Sequence, residues 1–318
     1  MPSVLVGRPL PEPVIEHLRN AFEVEVRTET LPMTDAEMIG ALERHDAILP
    51  TLGDRFTAEI FAAASPLRAK ILANFGVGYN HIDVAAARDH GVSVTNTPGA
   101  VTDATADIAM TLILMTCRRA GEGERMVRAG NWPGWHPTQL LGLHVTGKTL
   151  GIVGMGRIGK AIARRAHFGF GMEILFHNRS RVEDPGVPSR QVEGLSELME
   201  ASDIIAIAVP GGAGTRHLVD AAALAAMKAE GYLVNIARGD VIDEAALIAA
   251  LQDGRIAGAG LDVYEHEPHV PEALKAMENV TLLPHLGTSA LEVRISMGQM
   301  AADNLIAWAE GKELPNPV

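Results

Sequence analysis

Short β-branched, apolar runs alternate with helical runs along nearly the whole chain, and no other feature narrows the fold as much. In the first hundred residues the strand candidates are SVLVG (3–7), EVEVR (23–27), DAILP (46–50), KILANF (70–75) and GVSVTN (91–96). Helical stretches fall between them, near 11–20, 34–44, 57–64 and 82–89. Strand, helix and strand in repetition imply a parallel sheet covered by helices. Thr97-Pro98-Gly99 breaks the series, and one long helix is predicted over about 102–129. After the loop GNWPGWHP (130–137) a second series begins, with strands at 149–153, 173–176, 203–208, 232–236, 257–261 and 280–283 and a last helix over about 289–309. At 318 residues the chain exceeds what one hydrophobic core usually serves. The reading is α/β, with two parallel-sheet lobes whose boundaries lie near 100 and 290, and with the tail helix packing back on the first lobe.

Bulk properties exclude several classes of function. The formal net charge of −12 argues against binding to nucleic acid or an anionic membrane, so any anionic ligand has to be held by local positive features. The longest apolar stretch, Ile108 to Cys117, is too short to span a bilayer. The single cysteine, Cys117, allows no disulfide within the chain and fits a reducing, cytoplasmic setting. The N-terminus lacks a basic n-region and reads as a first strand, not a signal peptide.

GIVGMGRIGKAIARR (151–165) contains Gly154-Met155-Gly156-Arg157-Ile158-Gly159 between an apolar strand and an amphipathic helix. In that context the pattern specifies a dinucleotide site. Gly154 permits the tight turn, Gly156 lets backbone approach a pyrophosphate, and Gly159 lets helix and strand pack closely. The helix N-terminus then offers free N–H groups to the anion. The next strand should end about 20 residues on, with an acidic residue for the ribose 2′-hydroxyl of NAD. Nineteen residues past Gly159 stands Asn178, followed by Arg179-Ser180-Arg181. Without the carboxylate a 2′-phosphate is not repelled; the two arginines can pair with it and Ser180 can donate a hydrogen bond. The expected preference is NADP(H), with NAD(H) still possible.

Three further motifs stand at the ends of predicted strands, where open α/β sheets place their ligands: LVNIARGD (233–240), GLDVYEHEP (260–268) and LLPHLG (282–287). The planar fork of an arginine suits a carboxylate and a ketone oxygen together. A histidine suits a proton given in one direction and taken in the other near neutral pH. A carboxylate beside it would orient the imidazole and favour its protonated form. Arg238, Glu267 and His285 are candidates for such a unit. His266, Glu267, His269 and His285 could instead be read as metal ligands, but Pro268 interrupts any HExxH-like helix, and no metal is expected.

In order and spacing these motifs, together with FGVGYNHID (75–83) and GKTLGIVGMGRIG (147–159), resemble the D-2-hydroxyacid dehydrogenase family over essentially the whole chain. The NRSR turn and FGVGYNHID look most like its glyoxylate/hydroxypyruvate reductases. The resemblance implies two Rossmann-like or flavodoxin-like lobes with the active site in the cleft between them. Residues 1–99 and 290–318 would form the substrate domain, and 100–289 the inserted Rossmann domain. It makes Arg238, Glu267 and His285 catalytic. It places Val209, Pro210, Thr215, Ile236, Ala237, Asp262 and Gly287 at the cofactor with the glycine loop and the 178–181 turn. Val209 to Thr215 carries glycines where relatives have a threonine-bearing loop, so a side-chain contact there is expected to be lost or replaced by backbone. Leu52, Gly76, Val77 and Gly78 would line the substrate, the backbone amides of Val77 and Gly78 holding its carboxylate. Trp135 would form a substrate wall or pack at a dimer interface, and a homodimer is expected. The implied reaction is NADPH-dependent reduction of a short 2-keto acid, glyoxylate or hydroxypyruvate, to the 2-hydroxy acid. The alternatives are a dehydrogenase for a larger 2-keto acid and a nucleotide-sensing, corepressor-like binding protein.

Overall fold

The computed structural model describes residues 1–318. The chain divides into two compact units, Met1–Val101 with Thr288–Val318, and Thr102–Gly287.

The first unit runs β1 (Ser3–Val6), α1 (Glu12–Arg19), β2 (Glu23–Val26), α2 (Asp35–Arg44), β3 (Ala47–Leu49), α3 (Ala58–Ala63), β4 (Ile71–Ala73), α4 (Val84–Asp89) and β5 (Ser93–Thr95). Its five strands are parallel, in the order β2-β1-β3-β4-β5. That is the flavodoxin-like order, in which the chain reverses its direction of travel between β1 and β3. β3 and β4 are wholly buried, as strands covered on both faces should be, whereas edge strand β2 alternates between exposed and half-buried residues. Local signals set the helix starts. Thr34 and Glu37 form a reciprocal capping box at α2, and the Asp83 side chain caps α4. The chain returns to this unit in the last helix, α12 (Leu291–Ala309), which packs on α1 and β4. Fully buried Asn304 then holds the tail, donating to Met300 O and accepting from Asn316 N, while Asn96 N donates to Asn316 O beside β5.

The second unit contains α5 (Thr102–Cys117), α6 (Ala120–Arg128), β6 (Thr149–Val153), α7 (Arg157–Phe170), β7 (Glu173–His177), β8 (Arg190–Val192), α8 (Leu195–Ala201), β9 (Ile204–Ile207), α9 (Ala221–Ala226), β10 (Tyr232–Asn235), α10 (Glu244–Gln252), β11 (Gly258–Leu261), α11 (Glu272–Ala276) and β12 (Val280–Leu282). Its seven parallel strands lie in the order β12-β11-β10-β9-β6-β7-β8. This is the Rossmann order with one strand added, and its switch point falls between β6 and β9. α5 and α7 cover one face around Leu112, Ile113, Ile162 and Ile152. α8, α9 and α10 cover the other around Leu198, Leu224, Leu247 and Ile205.

Two expectations about elements need correction. The helix predicted over 102–129 is broken: Arg119 takes a left-handed φ of 52° between α5 and α6. The returning segment explains the break. Leu143 N donates to Cys117 O at 2.8 Å, so the last carbonyl of α5 is satisfied from outside the helix. Arg119 is fixed by a two-pronged ion pair with Glu122. The second correction is β8, where the sequence predicts no strand. It is a three-residue edge strand with only Val192 buried, held by pairing with β7.

Candidate active site

The switch point of the seven-stranded sheet carries the glycine loop. Gly154 has φ +99°, and its N–H donates to His177 O at 2.9 Å, tying the turn to the end of β7. A Cβ on Gly159 would stand 2.1 Å from Gly154 O, so α7 can start this close to the turn only with glycine there. A Cβ on Gly156 would meet nothing within 4 Å, and Gly156 is the N-cap of the 14-residue α7. The orphan N–H groups of that first turn, together with the open space over Gly156, fit a pyrophosphate. Val209, after β9, closes on the same turn, its Cγ1 lying 2.8 Å from where a Gly154 Cβ would be. The Thr215 hydroxyl donates to Pro210 O at 2.7 Å, within its own loop.

At the end of β7, Asn178 does more than leave room. Its Oδ1 accepts from Met155 N at 3.2 Å, and its amide donates to Ser180 O at 2.9 Å. One side chain therefore joins the glycine loop to the 178–181 turn, and Gln191 braces that turn by donating to Ser180 O. Arg179 and Arg181 are exposed, and neither makes an ion pair within the chain.

Beyond β10, β11 and β12 the three strand-end motifs converge. Ile236 and Ala237 are buried, and the Asn235 side chain brackets their turn: it accepts from Ala237 N at 3.0 Å and donates to Arg238 O at 2.9 Å. Half-buried Arg238 donates to Ala237 O at 2.7 Å. Burial pulls the pKa of its guanidinium down, while the nearby Glu267 and Asp240 carboxylates pull it back up. His285 Nδ1 lies 2.9 Å from Glu267 Oε2, and the other Glu267 oxygen accepts from Tyr264 N at 3.0 Å. Burial opposes ionisation of Glu267, but the hydrogen bond and charge of His285, the Tyr264 amide and Arg238 together bring its carboxyl below the ordinary range.

His285 itself has φ 55°, a left-handed conformation uncommon for a residue with a Cβ. Asp262, at 1% exposure, holds it there. His285 N donates to Asp262 O at 2.9 Å, Leu286 N to Oδ1 at 2.6 Å and Gly287 N to Oδ2 at 2.9 Å. Both Asp262 oxygens are thus used by the turn that carries the histidine. Tyr264 adds a second link by donating from its hydroxyl to Leu283 O at 2.9 Å. A Cβ on Gly239 would fall 1.8 Å from the carbonyl carbon of Tyr264, so the arginine and glutamate loops touch backbone to backbone. Asn235, Tyr264 and the bracing role of Asp262 were not read from sequence as site features. An amide ending one buried strand and a carboxylate just past another are the available signals. His269 N donates to His266 O at 2.8 Å in the exposed turn, and no three His, Cys, Asp or Glu side chains are placed to hold a metal ion.

In the first unit, Leu52 follows β3 and Gly76-Val77-Gly78 follows β4; a bridge between Thr51 and Phe75 sets the two loops side by side. The carbonyls of the second loop are all engaged, Gly76 O by Thr97 N and the Asn74 amide, Val77 O by the Asn96 amide and Gly78 O by the Asn74 amide. The N–H groups of Val77 and Gly78 make no hydrogen bond within the chain. Such a pair of N–H groups can bind an anion. Trp135 is 79% exposed in the 129–142 segment, where Trp132 and Leu141 are also exposed. No helix is long and apolar enough to cross a membrane.

Residues 110–287 match the family model for the D-isomer specific 2-hydroxyacid dehydrogenase NAD binding domain. The glyoxylate reductase of Thermococcus kodakarensis is 44% identical over 322 residues, covering 100% of this chain and 96% of that protein. A putative D-isomer specific 2-hydroxyacid dehydrogenase from Polaromonas superposes with a TM-score of 0.93 at 38% identity, over 100% of this chain and 99% of that one. The NADPH-dependent glyoxylate/hydroxypyruvate reductase of Sinorhizobium meliloti, solved with NADP and malonate, gives 0.88 at 39% identity, over 100% and 96%. The chain belongs to the D-isomer specific 2-hydroxyacid dehydrogenase family, and within it the chain resembles the glyoxylate reductases.

Proposed function

We propose that this protein reduces short 2-keto acids, glyoxylate and hydroxypyruvate, to their 2-hydroxy acids and prefers NADPH to NADH. The observation that carries this reading is the His285–Glu267 pair on the turn braced by Asp262. With Nδ1 donating to Glu267, the imidazole presents Nε2 as its proton-transfer atom. His285 gives the Nε2 proton to the substrate's 2-carbonyl oxygen, and the neutral ring that remains keeps Nδ1–H bonded to the carboxylate. Glu267 touches no reacting atom; it fixes the ring and its tautomer. Arg238, half-buried and close to carboxylates, polarises the 2-carbonyl oxygen and shares the substrate carboxylate. The N–H groups of Val77 and Gly78 hold that carboxylate, and Leu52 and Trp135 wall the substrate. The bound cofactor would supply the hydride to the carbonyl carbon, so that an aldehyde (glyoxylate) or a ketone (hydroxypyruvate), a hydride and a proton become the 2-hydroxy acid. The glycine loop and the residues at Val209, Pro210, Thr215, Ile236, Ala237 and Gly287 hold the dinucleotide.

The cofactor preference rests on charge. Asn178 takes the place of the carboxylate that would repel a 2′-phosphate, and Arg179 and Arg181 are free of protein partners. Exposed Trp132, Trp135 and Leu141 in one short segment, with exposed Val127 just before it, support a homodimer. A matrix of kcat/KM values tests the whole reading: glyoxylate, hydroxypyruvate and larger 2-keto acids against NADPH and NADH. The same matrix is measured for the Arg179→Ala/Arg181→Ala double variant. Turnover is expected to be highest for the short acids with NADPH, and the double variant should lose at least about tenfold of its NADPH-over-NADH ratio. No turnover across the panel would sink the enzyme reading. An unchanged cofactor ratio would sink the phosphate clamp.

A further inference from the structure

We propose that Asn74 and Asn96 are positioning residues that aim the Val77 and Gly78 N–H groups at the substrate carboxylate, and that His81 locks Asn74 in the orientation this requires. The inference deepens the reading above and rests on it. Its basis is the planarity of the peptide unit. In a trans peptide the C=O of one residue and the N–H of the next point in opposite directions. Pinning Gly76 O therefore aims Val77 N–H, and pinning Val77 O aims Gly78 N–H.

Each pin is a side-chain amide. Asn74 is fully buried and donates both amide hydrogens, to Gly76 O and Gly78 O, each at 3.0 Å. Its Oδ1 faces His81 Nε2 at 3.0 Å. A buried amide with both hydrogens on carbonyls needs a donor at its oxygen, so His81 fixes which way the Asn74 amide is turned. Asn96 donates to Val77 O at 2.8 Å. Thr97 N also donates to Gly76 O, at 3.1 Å, so the peptide before Val77 is held twice. With the carbonyls held in this way, the N–H groups of Val77 and Gly78 are left without a hydrogen-bond partner in the chain. If either peptide turned over, it would present an oxygen in place of a donor to an anion.

The test uses the full-length protein and oxamate, an unreduced analogue of glyoxylate that carries the same carboxylate. Asn74→Ala, Asn96→Ala and His81→Gln are compared with the parent. In the two alanine variants KM for glyoxylate and the dissociation constant of oxamate from the NADPH complex should each rise by at least about tenfold. kcat should change less, and NADPH affinity should stay within about twofold of the parent. His81→Gln keeps an amide donor for Asn74 and should stay near the parent, which a general packing role for the histidine would not predict. If Asn74→Ala does not fold, Asn96→Ala decides alone. Glyoxylate KM and oxamate affinity within about twofold of the parent in a folded Asn96→Ala would overturn the proposal. A parent that binds oxamate but reduces no 2-keto acid sinks the functional reading alone, and oxamate affinity in the variants still decides the fate of the amide pins.

Discussion

His285 combines two demands that a single side chain rarely meets. It is held in a left-handed backbone conformation, and its ring is oriented by Glu267. Such a conformation persists where the surroundings over-determine it, and here the backbone and both carboxylate oxygens of Asp262 do so. His285→Ala removes the proposed proton donor and is expected to leave the turn and the glycine loop in place. Its kcat with glyoxylate and NADPH should fall by roughly 10²–10⁴, the range a positioned acid contributes. NADPH binding, followed by fluorescence titration, should stay near the parent value. A variant that keeps most of its turnover would remove His285 from the acid role. The strand-end motifs offer Arg238, Glu267 and His285 together as a candidate unit, because arginine, glutamate and histidine there carry recognisable chemistry, and the family resemblance makes the three catalytic. The motifs could not reveal the left-handed φ, or that Asp262 spends both oxygens on the turn, since those facts depend on how residues 23 to 25 positions apart meet. Asn74 was hidden for the same reason: an asparagine ahead of a glycine-containing loop reads as an ordinary turn residue until its three partners are known.

Among elements, the alternation of strand and helix was legible because period-2 and helical patterns differ strongly over runs of this length. β8 was not legible, being three residues long with one buried side chain. The break after α5 was missed because the residue that ends the helix, Leu143, lies far along the chain from Cys117. Contacts between loops at the strand ends are equally non-local, and the nearest of them gives a direct prediction. Gly239 lies against the backbone of Tyr264 and Glu265, neither of which can move like a flexible side-chain tip. Gly239→Ala should therefore push the arginine loop off the glutamate loop. The expected cost is about 3 kcal/mol in denaturant stability, the upper part of the usual range for overpacking. The activity of the folded fraction should also fall. A denaturation midpoint equal to that of the parent would show that the loops separate freely.

For the molecule as a whole, pH acts through ion pairs that the fold assembles. In the first unit Asp46 receives a two-pronged bond from Arg68, at 2.8 Å on each oxygen, and a further bond from Ser3 N at 2.8 Å. The Arg68 bond is the largest influence, and together these bring its carboxyl down to about 2, against burial. Because the folded-state value lies below the unfolded one, the stabilisation is fully present above the unfolded carboxylate range near pH 4. It is lost as the pH falls through about 2. Asp46→Asn should therefore flatten the dependence of stability on pH between about 4 and 2. Near neutral pH it should cost about 1–2 kcal/mol, allowing for partial exposure of the pair. Chemical denaturation of both proteins at several pH values checks this; parallel curves would refute it. The division of the chain has a consequence of another kind. The second unit is one uninterrupted stretch, Thr102–Gly287, whereas the first waits for Thr288–Val318 before α12 can cover α1 and β4. On a ribosome, the part whose synthesis begins first is thus the last to be completed. While the second unit is still emerging, the nascent first unit exposes the apolar faces that α12 will cover. That interval is where a chaperone would have most to do.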